Sequence, residues 1–352
     1  MKINWQNCLV ASMTIGLTAL VACTAPAATP TPTPTSLEQA LGLVPMDFAS
    51  TTVKFAAYES ARIASDAGDF KGFETLREKG SDSIPRFYPV LPQNMLGTYS
   101  ERIYDHLGVD LLGNDFGIWA EMTGVAYPRA IALKDDLDRE SLAKNLVDMG
   151  YKRADHKGVA YWYWSDGEPE TLRGHPIGPA GRFINVVAPM DEWLVLGTSI
   201  EDATALIDTQ RKDVPSLLDS KPHKVLSETL GDSLIGGIFI TREQVLELWQ
   251  RSDAKSMESL RRYVEGLDKW GKLASYSVAL MGYRVEDGRE QATVALYYSN
   301  SEAAAMDAQE LERRWKSFQF SASSPDGPAE SLPVTRFCSP FSTNVITYSD
   351  SS

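Results

Sequence analysis

The chain has 352 residues, enough for one large or two modest domains, and its 43% apolar and 10% aromatic residues are typical of a globular protein. Asp and Glu outnumber Lys and Arg by 47 to 34, which gives a net charge of −13. Because the sequence contains no basic run that could neutralise phosphates, we predict no nucleic-acid partner, and the same acidity disfavours adsorption to anionic lipid headgroups.

The N-terminal residues have the pattern of an export signal. An apolar segment from Leu9 to Ala22 follows a single positive charge at Lys2. It is too short to span a bilayer but has the length of a secretory h-region. The segment ends in LVAC at positions 20–23, which resembles the lipobox of bacterial lipoproteins. The resemblance implies cleavage before Cys23 and a diacylglycerol on its thiol, hence a membrane partner and an extracytoplasmic location.

Two alternatives to this signal remain open, namely an ordinary secretory signal cut after residues 25–27 and an uncleaved anchor. In the lipobox interpretation Cys8 is removed with the leader and Cys23 is acylated, which leaves Cys338 alone. No internal disulfide is then expected. We interpret Cys338 as a buried or idle thiol in preference to a catalytic nucleophile.

The sequence predicts an α+β fold with antiparallel sheet and helices packed on one face. Residues 1–22 are predicted to form the lipoprotein signal and 23–36 a Thr/Pro-rich tether, which cannot form a helix or a ladder and should be extended. Residues 37–112 are a mixed α/β segment. Residues 113–212 and 213–320 are predicted as two related strand-strand-helix units, and 321–352 as a C-terminal extension.

Hydrophobic periodicity indicates individual elements in chain order. A short strand is predicted at 52–58, helices near 59–67 and 100–107, and paired strands at 116–124 and 126–134. A helix over 138–150 should be ended by Gly150 and should bury one apolar face. That face is predicted to contain Leu142, Leu146, Val147 and Met149.

Three capping boxes mark helix starts. Ser199 with Asp202 and Ser299 with Glu302 occupy equivalent positions after two strand pairs, which suggests that the strand-strand-helix unit is duplicated. Thr241 with Gln244 opens a third helix.

Residues 149–241 resemble a known protein family. The stretch contains a Gly-Tyr after a helix, a Leu-Val-Leu-Gly strand that enters a helix, and a Ser-Leu, short helix, Gly-Asp connection. These features are similar to those of a family of bacterial extracytoplasmic, membrane-anchored proteins of unknown function. Since they are packing and turn positions, the resemblance implies a fold and transfers no active site.

Common catalytic and metal-binding patterns are absent from the sequence. The histidines are scattered and lack zinc-site spacing, and there is no Gly-x-Ser-x-Gly elbow or phosphate-binding glycine loop. Two Ser-x-x-Lys matches, at 141–144 and 252–255, lack the companion motifs of serine acylases. The acidic run at 135–140 has no turn glycine for calcium and precedes a helix, whose positive end it complements. We therefore predict no catalytic residue, metal or cofactor.

A long loop at 165–182 and the aromatic row at 161–164 supply the candidate site. In a strand, alternate side chains point to opposite faces, so the tyrosines share one face and the tryptophans the other. One pair is predicted to be core, and the other is either covered or exposed as a stacking surface. The candidate ligand-binding residues are Trp162, Trp164, Arg173 and His175. The alternative is that the loop is only a surface excursion.

The leading functional hypothesis is a non-catalytic binding or scaffold module of the cell envelope, with an unidentified envelope ligand or protein as partner. One alternative is an envelope-polymer hydrolase with Asp166 and Glu168 as acid and base, which requires one buried carboxyl group. Another is a carrier that holds a lipid or other apolar ligand between sheet and helices.

Overall fold

The computed structural model describes residues 33–64, 96–111, 113–121, 128–134, 137–166, 174–230, 234–244, 276–286, 289–317 and 342–349. The predicted signal, Cys23, the second Ser-x-x-Lys pair, Glu168, Arg173 and Cys338 lie outside these residues. None of the described helices has the length and apolar character needed to cross a bilayer.

Seven helices and eleven strands are described. The helices are α1 (Ser36–Leu41), α2 (Tyr58–Ala64), α3 (Leu96–Leu107), α4 (Arg139–Asp148), α5 (Ile200–Gln210), α6 (Lys221–Leu230) and α7 (Ser301–Ser317). The strands are β1 (Thr52–Ala56), β2 (Phe116–Glu121), β3 (Pro128–Lys134), β4 (Lys152–His156), β5 (Val159–Tyr163), β6 (Val186–Met190), β7 (Trp193–Gly197), β8 (Leu234–Thr241), β9 (Val278–Glu286), β10 (Arg289–Tyr298) and β11 (Ser342–Ser349). Short 3-10 helices cover Met46–Ser50, Gly178–Arg182 and Leu217–Asp219.

The described strands form one 11-stranded sheet in the order β11-β10-β9-β8-β1-β2-β3-β7-β6-β5-β4. Neighbouring strands are antiparallel except β10 and β11, which are parallel. Strand β1 lies between β8 and β2, so the segment 37–112 joins the two predicted units into a continuous sheet. The segment 321–352 supplies the edge strand β11.

The central strands of the sheet are buried on both faces, whereas the edge strand β4 is largely exposed. Every residue of β7 is buried, and its side chains alternate between two clusters. The cluster we call the α5-side core contains Val195 and apolar residues of α1, α5 and α6. The α4-side core, on the opposite face, contains Leu194 and Leu196 with residues of α3 and α4.

The predicted α+β class, with its large antiparallel sheet, is thereby confirmed, although the helices cover both faces and not one. The reason lies in the strands: their central positions are apolar on both sides, and a sheet of that kind needs cover on both sides. Helix α7 covers the end of the sheet near β10, where Ala304 packs with Leu296 and Tyr298.

Helix α4 shows how local sequence sets an element. Asp138 caps its start by accepting a hydrogen bond from the Ser141 N–H at 3.1 Å. Gly150 ends it with a φ of 95°, and the next N–H, from Tyr151, reaches back to the Leu146 carbonyl, which is the pattern of a Schellman motif.

The predicted buried face of α4 is correct for Leu142 and Leu146, which are 1% and 0% exposed. It is wrong for Val147, which is 58% exposed. At 100° per residue, Val147 lies about 140° from Leu142 around the helix, whereas Leu146 lies about 40° from it.

The two strand-strand-helix units are both present, as β6-β7-α5 and β9-β10-α7. Ser199 accepts the Asp202 N–H at 3.1 Å, as expected for the first cap. In the second unit the cap is Asn300 and not Ser299, because Asn300 Oδ1 accepts the N–H groups of Glu302 and Ala303 at 2.8 and 3.1 Å. The third box forms in both directions between Thr241 and Gln244.

The two faces of α4 provide a test of the packing. Leu146→Ala should lower the free energy of unfolding by about 2–5 kcal/mol, because it leaves a cavity in the α4-side core. Val147→Ala, one residue further along the same helix, should change it by less than about 1 kcal/mol. Urea unfolding followed by tryptophan fluorescence measures both, and equal losses for the two variants would contradict the packing described here.

Candidate functional site

The aromatic row divides between the two faces as predicted. Tyr161 is buried in the α5-side core, with Tyr163 packed against it at a ring-centroid distance of 6.1 Å. Trp162 lies in the α4-side core with 7% of its surface exposed, and Trp164 is half-buried beside that core. Trp162 therefore lacks the open face that a stacking surface needs, because a ligand stacks only on an accessible ring.

His175 is a buried member of a hydrogen-bonded chain. The Ile177 N–H lies 3.2 Å from its Nδ1 and donates to it, so the proton of the neutral ring is on Nε2. That Nε2–H donates to the Tyr151 hydroxyl at 2.7 Å, and Tyr151 donates in turn to the Ile184 carbonyl at 2.6 Å. Burial, with a smaller contribution from His106, lowers the pKa of His175 to about 4.

Trp164 joins this cluster through ring contacts. Its centroid lies 4.9 Å from His175 and 5.7 Å from Tyr151, both edge-to-face. The structure thus brings two of the predicted site residues, Trp164 and His175, into contact. It does so as packed neighbours with an internal hydrogen-bond chain, while Arg173 lies outside the described residues.

The second half of the long loop, residues 174–182, is not a loose surface excursion. Ile177 and Ala180 are fully buried and belong to the α4-side core. The start of the loop is held by Asn185, whose amide group accepts from the Ser165 N–H and donates to the Ser165 carbonyl, each at 3.0 Å. The same amide also donates to the Thr198 carbonyl at 3.0 Å, which ties the loop to the end of β7.

A surface cavity of about 250 Å³ lies on the other side of the sheet, between α5 and two loop segments. We call it the α5 cavity. Its lining residues are Pro45, Met46, Asp47, Phe48, Arg129, Glu201, Asp202, Ala205, Asp208, Val214 and Pro215. The loop segments are held together by a bridge in which the Met46 N–H donates to the Pro215 carbonyl at 2.9 Å.

An ion pair stands at the base of this cavity. Arg129 on β3 donates from Nε and Nη2 to Asp202 Oδ1 at 2.9 and 2.6 Å. The Asp202 side chain is 9% exposed, and its other oxygen lies 3.3 Å from the Thr198 hydroxyl. The guanidinium group also lies 4.1 Å from the centroid of the Phe48 ring. Arg129 is therefore held by one carboxylate and one aromatic face.

A second charged cluster adjoins the cavity at Asp208. His156 Nε2 and Lys157 Nζ lie 2.7 and 2.8 Å from Asp208 Oδ1, and Lys157 also pairs with Asp213 at 3.0 Å. Burial raises the pKa of Asp208, but the hydrogen bonds from Lys157 and His156 outweigh burial and leave the pKa below its usual value. The hydrogen bonds that Lys157 donates to Asp208 and Asp213 raise the pKa of Lys157.

The other sequence candidates are dispersed. Ser141 donates its hydroxyl to Asp138 at 2.7 Å, while Lys144 lies 3.7 Å from Asp148, so this Ser-x-x-Lys pair is not assembled for catalysis. Asp166 is exposed and lacks the burial that the hydrolase hypothesis requires. Within the described residues no three His, Cys, Asp or Glu side chains are grouped so as to hold a metal ion.

The lining of the α5 cavity was missed by the sequence analysis. One signal for it was present: Glu201, Ala205 and Asp208 follow an i, i+4, i+7 spacing that puts them on one helical face. Asp202 was recognised only as part of a helix cap. Its pairing with Arg129 spans 73 residues and has no local signature.

Comparisons with known proteins give one weak structural match and no match to a family model or a curated protein. A solved structure, crystal form III of TP0453, is 9% identical, with 76% of this chain and 85% of that chain covered and a TM-score of 0.32. A likeness of this size supports no conclusion about fold or function.

Gly181 offers a test of the packing around His175. A β-carbon at this position would overlap the ring of His175. Gly181→Ala should therefore lower the free energy of unfolding by about 1–3 kcal/mol, because the buried ring has to shift. In a His175→Gly background, which lacks both the ring and its β-carbon, the obstacle is gone, and the same change should cost less than about 0.5 kcal/mol. Equal costs in the two backgrounds, measured by urea unfolding, would contradict the contact.

Two buried histidines predict a stability that depends on pH. Burial lowers the pKa of both His175 and His223 to about 4. The unfolded chain, with histidine pKa values of about 6.5, then binds more protons than the folded chain between those two pH values. The free energy of unfolding should accordingly fall as the pH drops from about 6.5 towards 4.

Urea unfolding at about pH 7 and about pH 5 tests this dependence, since most carboxylates titrate below that window. His223→Gln should show a smaller decrease than the parent chain, because one of the two groups no longer takes up a proton on unfolding. A parent chain equally stable at both pH values would show that the histidines are not held neutral.

Proposed function

We propose that the protein is an extracytoplasmic lipoprotein, anchored to the bacterial membrane through Cys23, which acts as a non-catalytic binding module. The anchoring rests on the apolar leader, the LVAC sequence and the Thr/Pro-rich tether that follows it. The observation that supports the binding role is the α5 cavity, a concave site with an apolar wall and several charged groups.

The arrangement of charges in this cavity suits binding better than acid-base catalysis. Its most buried carboxylate, Asp202, accepts two hydrogen bonds from Arg129 at 2.9 and 2.6 Å and is not available to take a proton from a substrate. Asp208 is likewise engaged by His156 and Lys157. Fixed ion pairs of this kind position a surface for a ligand without supplying a reactive group.

No observation favours the two alternatives over this proposal. The hydrolase hypothesis depends on Asp166, which is exposed, and on Glu168, which lies outside the described residues. The carrier hypothesis needs an apolar space between sheet and helices. In the described part of the chain those layers are filled by the α5-side and α4-side cores, and the α5 cavity opens at the surface with charged residues at its edge.

Lipid attachment is testable with two cysteine variants. In a bacterial host, the parent chain and Cys8→Ser should incorporate labelled palmitate and sediment with membranes, because Cys8 lies in the leader. Cys23→Ser should lose both properties. Incorporation of label into Cys23→Ser, or unchanged membrane retention of that variant, would contradict the proposed anchor.

A further inference from the structure

The α5 cavity carries an excess of negative charge that the chain itself leaves uncompensated. Four carboxylates line it, from Asp47, Glu201, Asp202 and Asp208, against the single guanidinium of Arg129. Asp202 is neutralised by Arg129, and Asp208 by Lys157. Asp47 and Glu201 are exposed at the rim, and no ion pair among the described residues involves either of them.

The start of helix α5 opposes this charge only in part. A helix N-terminus carries about half a positive elementary charge, whereas the two rim carboxylates carry about two negative charges. We therefore expect the electrostatic potential inside the cavity to be negative. It repels carboxylate or phosphate ligands and favours cations, an effect that acts mainly within about 10 Å at moderate salt.

One of the carboxylates that line the cavity already binds an alkylammonium group of the chain, from a lysine beside the cavity. Lys157, on the turn between β4 and β5, places its Nζ 2.8 Å from Asp208 and 3.0 Å from Asp213. Asp208 lines the cavity, so the chain itself shows that this carboxylate accepts an ammonium group on an aliphatic stem. The observation is independent of the unpaired carboxylates at the rim.

The wall of the cavity suits an aliphatic stem. Met46, Ala205, Val214 and Pro215 supply apolar surface between the charged groups, and Val214 is 39% exposed. The volume of about 250 Å³ lies just below the usual range for small-molecule sites and therefore limits the ligand to a short chain.

We infer that the α5 cavity binds a short aliphatic amine in its protonated form, with the ammonium group at the Asp47 and Glu201 rim and the alkyl chain against the apolar wall. This inference rests on the proposed binding function, for which it names the ligand class.

Titration calorimetry with the full lipidated chain in a non-ionic detergent tests the inference, with cadaverine, a linear diamine, as the probe. We expect cadaverine to bind and valerate and pentanol, of matched chain length, not to bind. Asp47→Asn combined with Glu201→Gln should weaken binding about tenfold, because two attractive charges are removed. Ala205→Phe should abolish binding because its ring fills the cavity.

Glu228→Gln is the matched control, since Glu228 is an exposed carboxylate on α6 that does not line the cavity. It should change the affinity by less than about twofold. Cadaverine binding that Ala205→Phe leaves intact would reflect general attraction to an acidic surface and would overturn the inference, as would no binding at all. Binding of valerate or pentanol that Ala205→Phe abolishes would keep the binding function and overturn the ligand class. The palmitate experiment reports on the anchor independently of these results.

Discussion

Burial of the central strands of the sheet on both faces is the constraint on which the rest of the structure depends. In strand β7, Trp193 and Val195 pack in the α5-side core, and Leu194 and Leu196 pack in the α4-side core. All four side chains are nearly inaccessible to solvent. Such a sheet is stable only if both faces are covered by other elements. This requirement accounts for helices on both sides and for the folding of the 174–182 loop segment back into the α4-side core.

The same constraint acts on several of the polar groups that the cores enclose, although in the described part of the chain Tyr58 Oη and Trp162 Nε1 are buried without a hydrogen-bond partner. A buried polar atom without a partner is costly, so Tyr151, His175 and Asn185 each hydrogen-bond to backbone or to one another. Keeping His175 neutral couples the fold to pH, because protonation would place an uncompensated charge in the core. Side chains that resemble a binding cluster in sequence thus stabilise the fold.

The α5 cavity is lined by residues of α5 that do not pack into the α5-side core. Helix α5 packs through Ala203 and Leu206, while Glu201, Ala205 and Asp208 face the opening. The ion pair between Arg129 and Asp202 ties β3 to the helix and fixes the base of the cavity. A site built in this way is rigid at its base and charged at its rim, which suits recognition of a small cation at little cost in conformational entropy.

The sequence by itself determined features set by neighbouring residues: several of the strands, the end of α4 at Gly150, the cap at Ser199 and the separation of the tyrosines from the tryptophans in the aromatic row. Only the tertiary structure decided which faces the helices cover, that Trp162 is core, and that Arg129 meets Asp202. The reason is physical. Periodicity and capping act over a few residues, whereas burial and long-range ion pairs depend on segments that are brought together only when the whole sheet forms.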